Sequence, residues 1–360
     1  MPTPSSSLRV ALVAISARGA LGQYVEALSR SLHELVDLHL FVPEHYRGSP
    51  DGWTPHPFRT GGSKWRSAGR LVTPSVARRV WRDIRSIQPD VIHVLSGEGY
   101  PWTWWWSRWN RVDRVPLIVT VHDVHRHPRD PVEWLSDRLQ RDVMRQATSV
   151  HVHCEAFVPD ARRRSRGSVV VIPHGSLAPR FLRHARPSVP REPLVLFFGR
   201  LRYYKGLDLL VDAADHLSPD MRIAIAGPGR LPENVRRTLR HRRDRFEVHN
   251  RVLADAEVAH LFQRACVCAL PYRQVTQSSV PLIAAGFGVP VVATALGGFV
   301  EDIPRVGGIL VRPDDPRALA AAIAEARGRT AVHPDSLSFD RTADQYARWY
   351  ASAARGINPP

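Results

Sequence analysis

Residues 197–210 read FFGRLRYYKGLDLL, an apolar run that closes on Gly199, with Arg200 and Lys205 after it at a spacing of five and helical spacing resuming near Gly206. A strand that ends in glycine, then two cations, then a helix start is chemistry suited to a phosphate. Free backbone N–H groups, the positive end of the helix dipole and two fixed charges would converge on the anion. The competing reading is a pair of solvated surface cations. Residues 225–229, IAGPG, add a second strand end at which Gly227 and Gly229 would let a ligand approach the backbone. In residues 276–279, TQSS precedes Pro281, so Ser278 or Ser279 can cap the next helix and present further N–H donors to a phosphate or sugar hydroxyl. Capping alone would also explain those serines.

Other groups invite other chemistry. His122, Asp123, His125 and His127 crowd the end of an apolar run and could be read as metal ligands, but no distant fourth ligand accompanies them, so no metal site is expected. A histidine such as His122 is suited to proton transfer. Cys266 and Cys268 flank Val267 in a strand-like pattern that favours buried thiols over a metal pair. Residues 102–109, WTWWWSRW, put five tryptophans beside basic residues. They fit a membrane interface or sugar stacking on one reading and a buried helix face on the other.

The elements that must position these residues alternate. Residues 8–15, 36–42, 91–95, 116–121, 149–153 and 169–172 have the short β-branched pattern of strands, with helical spacing at 24–35 and 75–87. A second series follows, with strands at 194–198, 221–226, 245–248, 267–270, 291–293 and 308–311. Helices are predicted over 206–216, 232–242, 257–265, 281–287 and 316–327. Strands alternating with helices imply parallel sheets covered on both faces, with ligands at the strands' carboxyl ends. The predicted architecture is α/β, two doubly wound Rossmann-like domains facing across a cleft. The first covers 1–183 and a proline-rich, charged linker covers 184–193. The second domain covers 194–335, and a last helix within 336–360 crosses back to the first.

With 360 residues and 44% hydrophobic content, the chain has enough material for two cores. Its 50 Lys and Arg against 34 Asp and Glu leave a formal charge of +16, which favours an anionic partner, although an arginine-preferring genome would give a similar excess. No recognition helix or RNA-stacking motif accompanies that charge, so a nucleic-acid partner is not expected. Three cysteines suggest a reducing cytoplasm rather than a disulfide framework. The polar start does not resemble a secretory signal, and no apolar run approaches the roughly 18 residues a membrane span needs.

In combination and in order, VIPHGS (171–176), FFGRLRYYKGLDLL, IAGPG, NRVLADAEVAHLFQRACVCALPY (250–272) and TQSSVPLIAAGFGVPVVATALGGFVED (276–302) resemble the donor domain of GT-B glycosyltransferases, specifically the retaining enzymes of family 4. The resemblance implies transfer of a sugar from a nucleotide-diphosphate sugar to a hydroxyl of a glycan, lipid-linked or small-molecule acceptor, without a metal or cofactor. It makes Arg200 and Lys205 the residues that neutralise the donor diphosphate. It extends the donor-binding set to Gly19, Gly22, Gly227, Gly229, Arg251, Val252, Gln277, Ser278, Ser279 and Glu301, and places His122 near the reacting sugar. One departure stands out. The family's two glutamates, eight positions apart, are here Val275 and Ile283. This implies an alternative donor loop using Gln277 and Ser278, or an inactive subunit that binds a membrane or a partner transferase. A sugar-nucleotide epimerase would need cleft carboxylates that the sequence does not supply. The expected setting is the cytoplasm, with an anionic inner-membrane surface as a candidate docking partner and surface glycan or secondary-metabolite synthesis as the pathway class.

Overall fold

A computed structural model describes residues 8–48, 52–60, 73–124 and 131–357. The chain folds as two compact units, Met1–Gly175 with Ser336–Pro360, and Ser176–Asp335.

The first unit is built on a seven-stranded, all-parallel sheet. Its strands are β1 (Arg9–Ala14), β2 (Asp37–Pro43), β3 (Thr54–Phe58), β4 (Val91–Ser96), β5 (Leu117–Thr120), β6 (Ser149–Val152) and β7 (Ser168–Val171), in the spatial order β3-β2-β1-β4-β5-β6-β7. Its helices are α1 (Ala20–Leu32), α2 (Pro74–Ser86), α3 (Pro101–Asp113), α4 (Pro131–Gln146) and α5 (Val158–Arg164). Proline opens α2 and α3, where its missing N–H costs nothing. β3 has no counterpart in the sequence reading because Pro55 and Pro57 argue against a strand. It lies at the sheet edge and pairs only with β2, the one place where absent ladder donors are tolerated.

Residues 102–109 lie in α3. Trp102 and Trp106 are 0% exposed in the core, Trp104, Trp105 and Trp109 pack against it, and the Arg108 guanidinium covers the Trp104 ring at 3.6 Å. Trp102 and Trp106 therefore belong to the core side of the helix, while Trp104, Trp105 and Trp109 are half-buried beside it.

The second unit holds a six-stranded parallel sheet, β10-β9-β8-β11-β12-β13. Its strands are β8 (Leu194–Phe198), β9 (Arg222–Ala226), β10 (Phe246–His249), β11 (Val267–Leu270), β12 (Val291–Thr294) and β13 (Ile309–Val311). The helices are α6 (Ala178–Leu182), α7 (Leu207–Ala213), α8 (Glu233–His241), α9 (Asp255–Arg264), α10 (Val280–Gly286), α11 (Phe299–Arg305) and α12 (Pro316–Ala326). The inner strands β8, β9, β11 and β12 are almost wholly buried, as both faces of a parallel sheet demand, and the edge strands β10 and β13 are partly exposed. Residues 176–183, assigned to the first domain from sequence, belong to this unit, and residues 184–193 are no free linker. Arg191 donates to the carbonyls of Phe262, Ala265 and Phe287 near the ends of α9 and α10, and Glu192 pairs with Arg264 and Arg222. Proline and charge suggested a spacer, but the charges satisfy helix-end carbonyls that would otherwise lack donors.

The last helix, α13 (Phe339–Ala354), belongs to the first unit. Ser338 caps it, accepting from the Arg341 N–H at 3.3 Å, and its Tyr346, Trp349 and Tyr350 are buried. Among the described residues no helix is long and apolar enough to cross a membrane.

Candidate active site

In the second sheet the order reverses between β8 and β11, the kind of switch point at whose carboxyl end open α/β sheets bind ligands. The loop after β8 carries Gly199, Arg200 and Lys205. The loop after β11 carries Tyr272 and runs through Gln277, Ser278 and Ser279 to α10. Gly206, at φ 65°, lets these loops touch, because a Cβ there would lie 1.8 Å from the Pro271 carbonyl oxygen. The Arg273 N–H donates to the Tyr204 carbonyl at 2.7 Å, and its guanidinium grips Asp208 at 2.6 and 3.0 Å and Asp314 at 2.8 Å. Lys205 is thereby placed with its Nζ 3.7 Å from the Tyr272 ring centroid. Burial pushes its pKa down to about 7, with the nearby Arg200 charge as the second cause. Arg200 itself is exposed.

Loops from neighbouring strands complete this end of the sheet. At Gly227 and Gly229 protein backbone leaves no room for a side chain. A Cβ on Gly227 would meet the Gly199 carbonyl oxygen at 2.1 Å, and one on Gly229 would meet the Leu201 carbonyl oxygen at 2.2 Å. The two loops run side by side there, with a bridge between Leu201 and Gly229 and a 3.0 Å hydrogen bond from the Gly229 N–H to Asn250 Oδ1. After β10, Arg251 forms a two-pronged ion pair with Glu257 at 2.8 and 2.5 Å, and Val252 is exposed. Ser279 occupies the N-cap of α10 without a side-chain bond, while Ser278 Oγ accepts from the Val280 N–H at 3.4 Å. Glu301, in the first turn of α11, faces Arg305 at 3.5 Å. Beside it, burial pushes the Asp302 carboxyl up to about 6 against the pull of Arg305.

The first unit gathers a different chemistry. His93, Thr120 and His151 form a buried chain, with 2.8 Å from His93 Nε2 to Thr120 Oγ1 and 2.9 Å from there to His151 Nδ1. Helix α13 closes it, since Tyr350 Oη lies 2.6 Å from His93 Nδ1 and Tyr346 Oη lies 2.9 Å from Tyr24 Oη. His122, just past β5, donates from Nε2 to the Leu95 carbonyl at 2.8 Å, which in the neutral ring leaves Nδ1 as an acceptor. Its ring stands edge-on to Tyr24 at 6.2 Å. Gly19, at φ 58°, and Gly22, packed on the Ala17 carbonyl, start α1 in this same unit.

The sequence profile described as "Glycosyl transferases group 1" matches residues 192–327, and that of the "Glycosyl transferase 4-like domain" matches residues 19–175. Together they span both units. The chain belongs to the group 1, GT4-like glycosyltransferases. A D-inositol 3-phosphate glycosyltransferase of Xylanimonas cellulosilytica is 38% identical over 36% of this chain, and the match spans only 32% of that relative's length. A glycogen synthase of Mycobacterium tuberculosis is 29% identical over 95% of this chain and 93% of its own. In fold, the chain is similar to Anabaena HepE, solved in complex with UDP, with a TM-score of 0.69, 16% identity and coverage of 97% and 98% of the two chains. Both units thus have the Rossmann-like form of GT-B proteins.

Within this group 1 chain, the sequence-derived residues Arg200, Lys205, Gly227, Gly229, Arg251, Val252, Gln277, Ser278, Ser279 and Glu301 all fall at the carboxyl end of the second sheet. Gly19, Gly22 and His122 fall in the first unit. At the positions of the family's glutamates, Ile283 is 2% exposed inside α10, and the Val275 carbonyl lies against Gly297, so neither offers a polar side chain. Tyr272 and Arg273 escaped the sequence reading. The only available signal was an aromatic and a cation directly after an apolar strand, which is also ordinary surface composition. His125 and His127 lie outside the described residues. Among the described residues no group of three His, Cys, Asp or Glu could hold a metal ion.

Proposed function

We propose that this chain transfers a glycosyl group from a nucleotide-diphosphate sugar to a hydroxyl acceptor, with retention at the anomeric carbon. The observation that carries the reading is the placement of Arg200 and Lys205 on the loop at the sheet's switch point, with no carboxylate among the described residues within ion-pair distance of Lys205. As the bond from the anomeric carbon to the diphosphate breaks, negative charge builds on the leaving group. Fixed cations stabilise that charge more in the transition state than in the ground state. They supply the compensation a divalent metal provides in other transferases, so the reaction is read as metal-independent. The acceptor oxygen attacks from the face the diphosphate leaves. His122, tied to Leu95 through Nε2, offers Nδ1 to an acceptor or sugar hydroxyl. Gln277, Ser278 and the neighbouring backbone supply the polar groups that Val275 and Ile283 do not offer the donor.

A glycan, lipid-linked or small-molecule hydroxyl is the acceptor class, in surface glycan or secondary-metabolite synthesis. The cytoplasm is the setting favoured by a chain with only three cysteines. Docking on an anionic membrane rests mainly on net charge, because Trp102 and Trp106 are core residues and Trp104, Trp105 and Trp109 are half-buried. The UDP complex of the structural neighbour makes UDP the first nucleotide to try. A thermal-shift series with UDP, GDP, ADP and dTDP should show one nucleoside diphosphate raising the melting point, with the effect gone in Arg200→Ala and Lys205→Ala. No response to any of them at millimolar concentration would sink the reading. The absent glutamates favour a second reading, a subunit that binds without transferring. Hydrolysis of the matching nucleotide sugar by the purified chain would dismiss it.

A further inference from the structure

Lys205 has an unusual companion. Its ammonium sits 3.7 Å from the centroid of the Tyr272 ring and 5.5 Å from that of Tyr204. Tyr272 is 0% exposed and held from three sides. Its carbonyl accepts from Thr294 Oγ1 at 2.6 Å, its ring packs at 5.1 Å and 44° on Phe299, and its hydroxyl points toward Gly199, where a Cβ would stand 3.9 Å away. That hydroxyl lies against Ser278 without a partner in hydrogen-bond geometry. Tyr272 is thus the residue around which the Gly199 loop, the Lys205 turn and the Ser278 loop assemble.

We propose that Tyr272 is a positioning residue for the donor site, its ring face holding the Lys205 ammonium in place for the diphosphate, a reading that rests on the donor site proposed above. A carboxylate in that position would hold the lysine equally well but would neutralise it and compete with the incoming anion. An aromatic face attracts the cation through its quadrupole while carrying no net charge and offering no acceptor to displace, so the full positive charge stays available to phosphate oxygens. The other charged and titratable groups around Lys205 are Arg200, Tyr204 and, behind them, Arg273 with its partners Asp208 and Asp314. Arg200 opposes the ammonium, burial opposes it more, and the ring face works against both.

The test keeps the ring's shape and varies its electrons. Tyr272→Phe removes an unpartnered hydroxyl, which is close to neutral for folding. Mono-, di- and trifluorinated phenylalanines at the same position then drain the quadrupole with little change in volume. UDP affinity of the full chain is measured by calorimetry from about pH 6 to about pH 9, a range that brackets the lysine's titration. Tyr272→Phe should bind within about twofold of the parent, and the trifluorinated ring about fivefold more weakly near pH 8, the worth of one cation–π contact. The loss should shrink toward pH 6, where the lysine is charged regardless, so the midpoint of the pH profile moves down with each fluorine. Equal affinities and equal profiles across the series overturn the proposal and leave the donor site standing. Failure of the unsubstituted chain to bind any nucleoside diphosphate overturns the donor site, and this proposal with it.

Discussion

Lys205 shows how burial sets the behaviour of a single residue. Its pKa in the fold, about 7, lies below the ordinary 10.5, so between those values the unfolded chain binds more protons than the folded one and stability rises with pH. The cost of burying the charge is fully present below the folded value and fades as pH climbs toward the unfolded one. Lys205→Met should therefore raise the calorimetric melting point at neutral pH by about 3 °C, with the gain shrinking near pH 10, while nucleoside diphosphate binding is lost. Arg200→Ala carries a different expectation, because Arg200 is exposed and contributes little to folding. Its kcat/KM should fall by about 10²–10³ with an unchanged melting point, as for loss of one charge-stabilising donor. Steady-state kinetics beside thermal melts would separate the two residues.

Among the elements, the loops after β8, β9 and β11 matter more than the strands they leave. Gly227 shows the tolerance. A methyl group there would meet backbone rather than a flexible side chain, so Gly227→Ala should destabilise the second unit by about 2–4 kcal/mol and weaken nucleotide binding as the Gly199 loop is pushed away. Gly307, at φ 70° with nothing within 4 Å of its Cβ position, is the control. Gly307→Ala should cost only the strain of the left-handed backbone, about 1 kcal/mol, and leave binding unchanged. Urea unfolding of both variants checks the contrast. Strand and helix existence was legible in residues such as 267–270, where the predicted and observed strands coincide, because a buried parallel strand is a short apolar run. The roles of the glycines were not. From sequence, Gly227 and Gly229 indicate a need for close approach but not what approaches, and only the pairing of two loops identified it as another stretch of backbone.

At the scale of the whole molecule, the first unit depends on a segment far away in sequence. Helix α13 supplies Tyr346, Trp349 and Tyr350 to a core that also holds His93, His151 and His153. Burial holds these histidines neutral, with His151 pushed down to about 3 and His174 to about 4, and the unfolded chain takes up their protons near 6.5. Stability present above that value is lost as pH falls below it, by about 1 kcal/mol per pH unit for each such ring. All ten tryptophans lie in this unit, so intrinsic fluorescence reports on it alone. The emission should shift to the red on acidification from pH 7 toward about pH 4, before carboxylate titration dominates. Unchanged emission over that range would contradict the buried-neutral assignment.

The alternation of apolar strands and amphipathic helices determined the parallel α/β class, and the order of short motifs around Arg200 and Lys205 determined the family, because both are local patterns that survive in one dimension. What lay beyond reach is non-local. The sheet order puts the loops after β8 and β11 side by side although some 70 residues separate them, and that adjacency makes Tyr272 the neighbour of Lys205. The side to which residues 184–193 attach was set by unsatisfied carbonyls at the ends of α9 and α10. Which of the five tryptophans enter the core was set by which face of α3 the sheet covers. Composition cannot encode these outcomes, since each depends on which surface another part of the chain leaves to be filled.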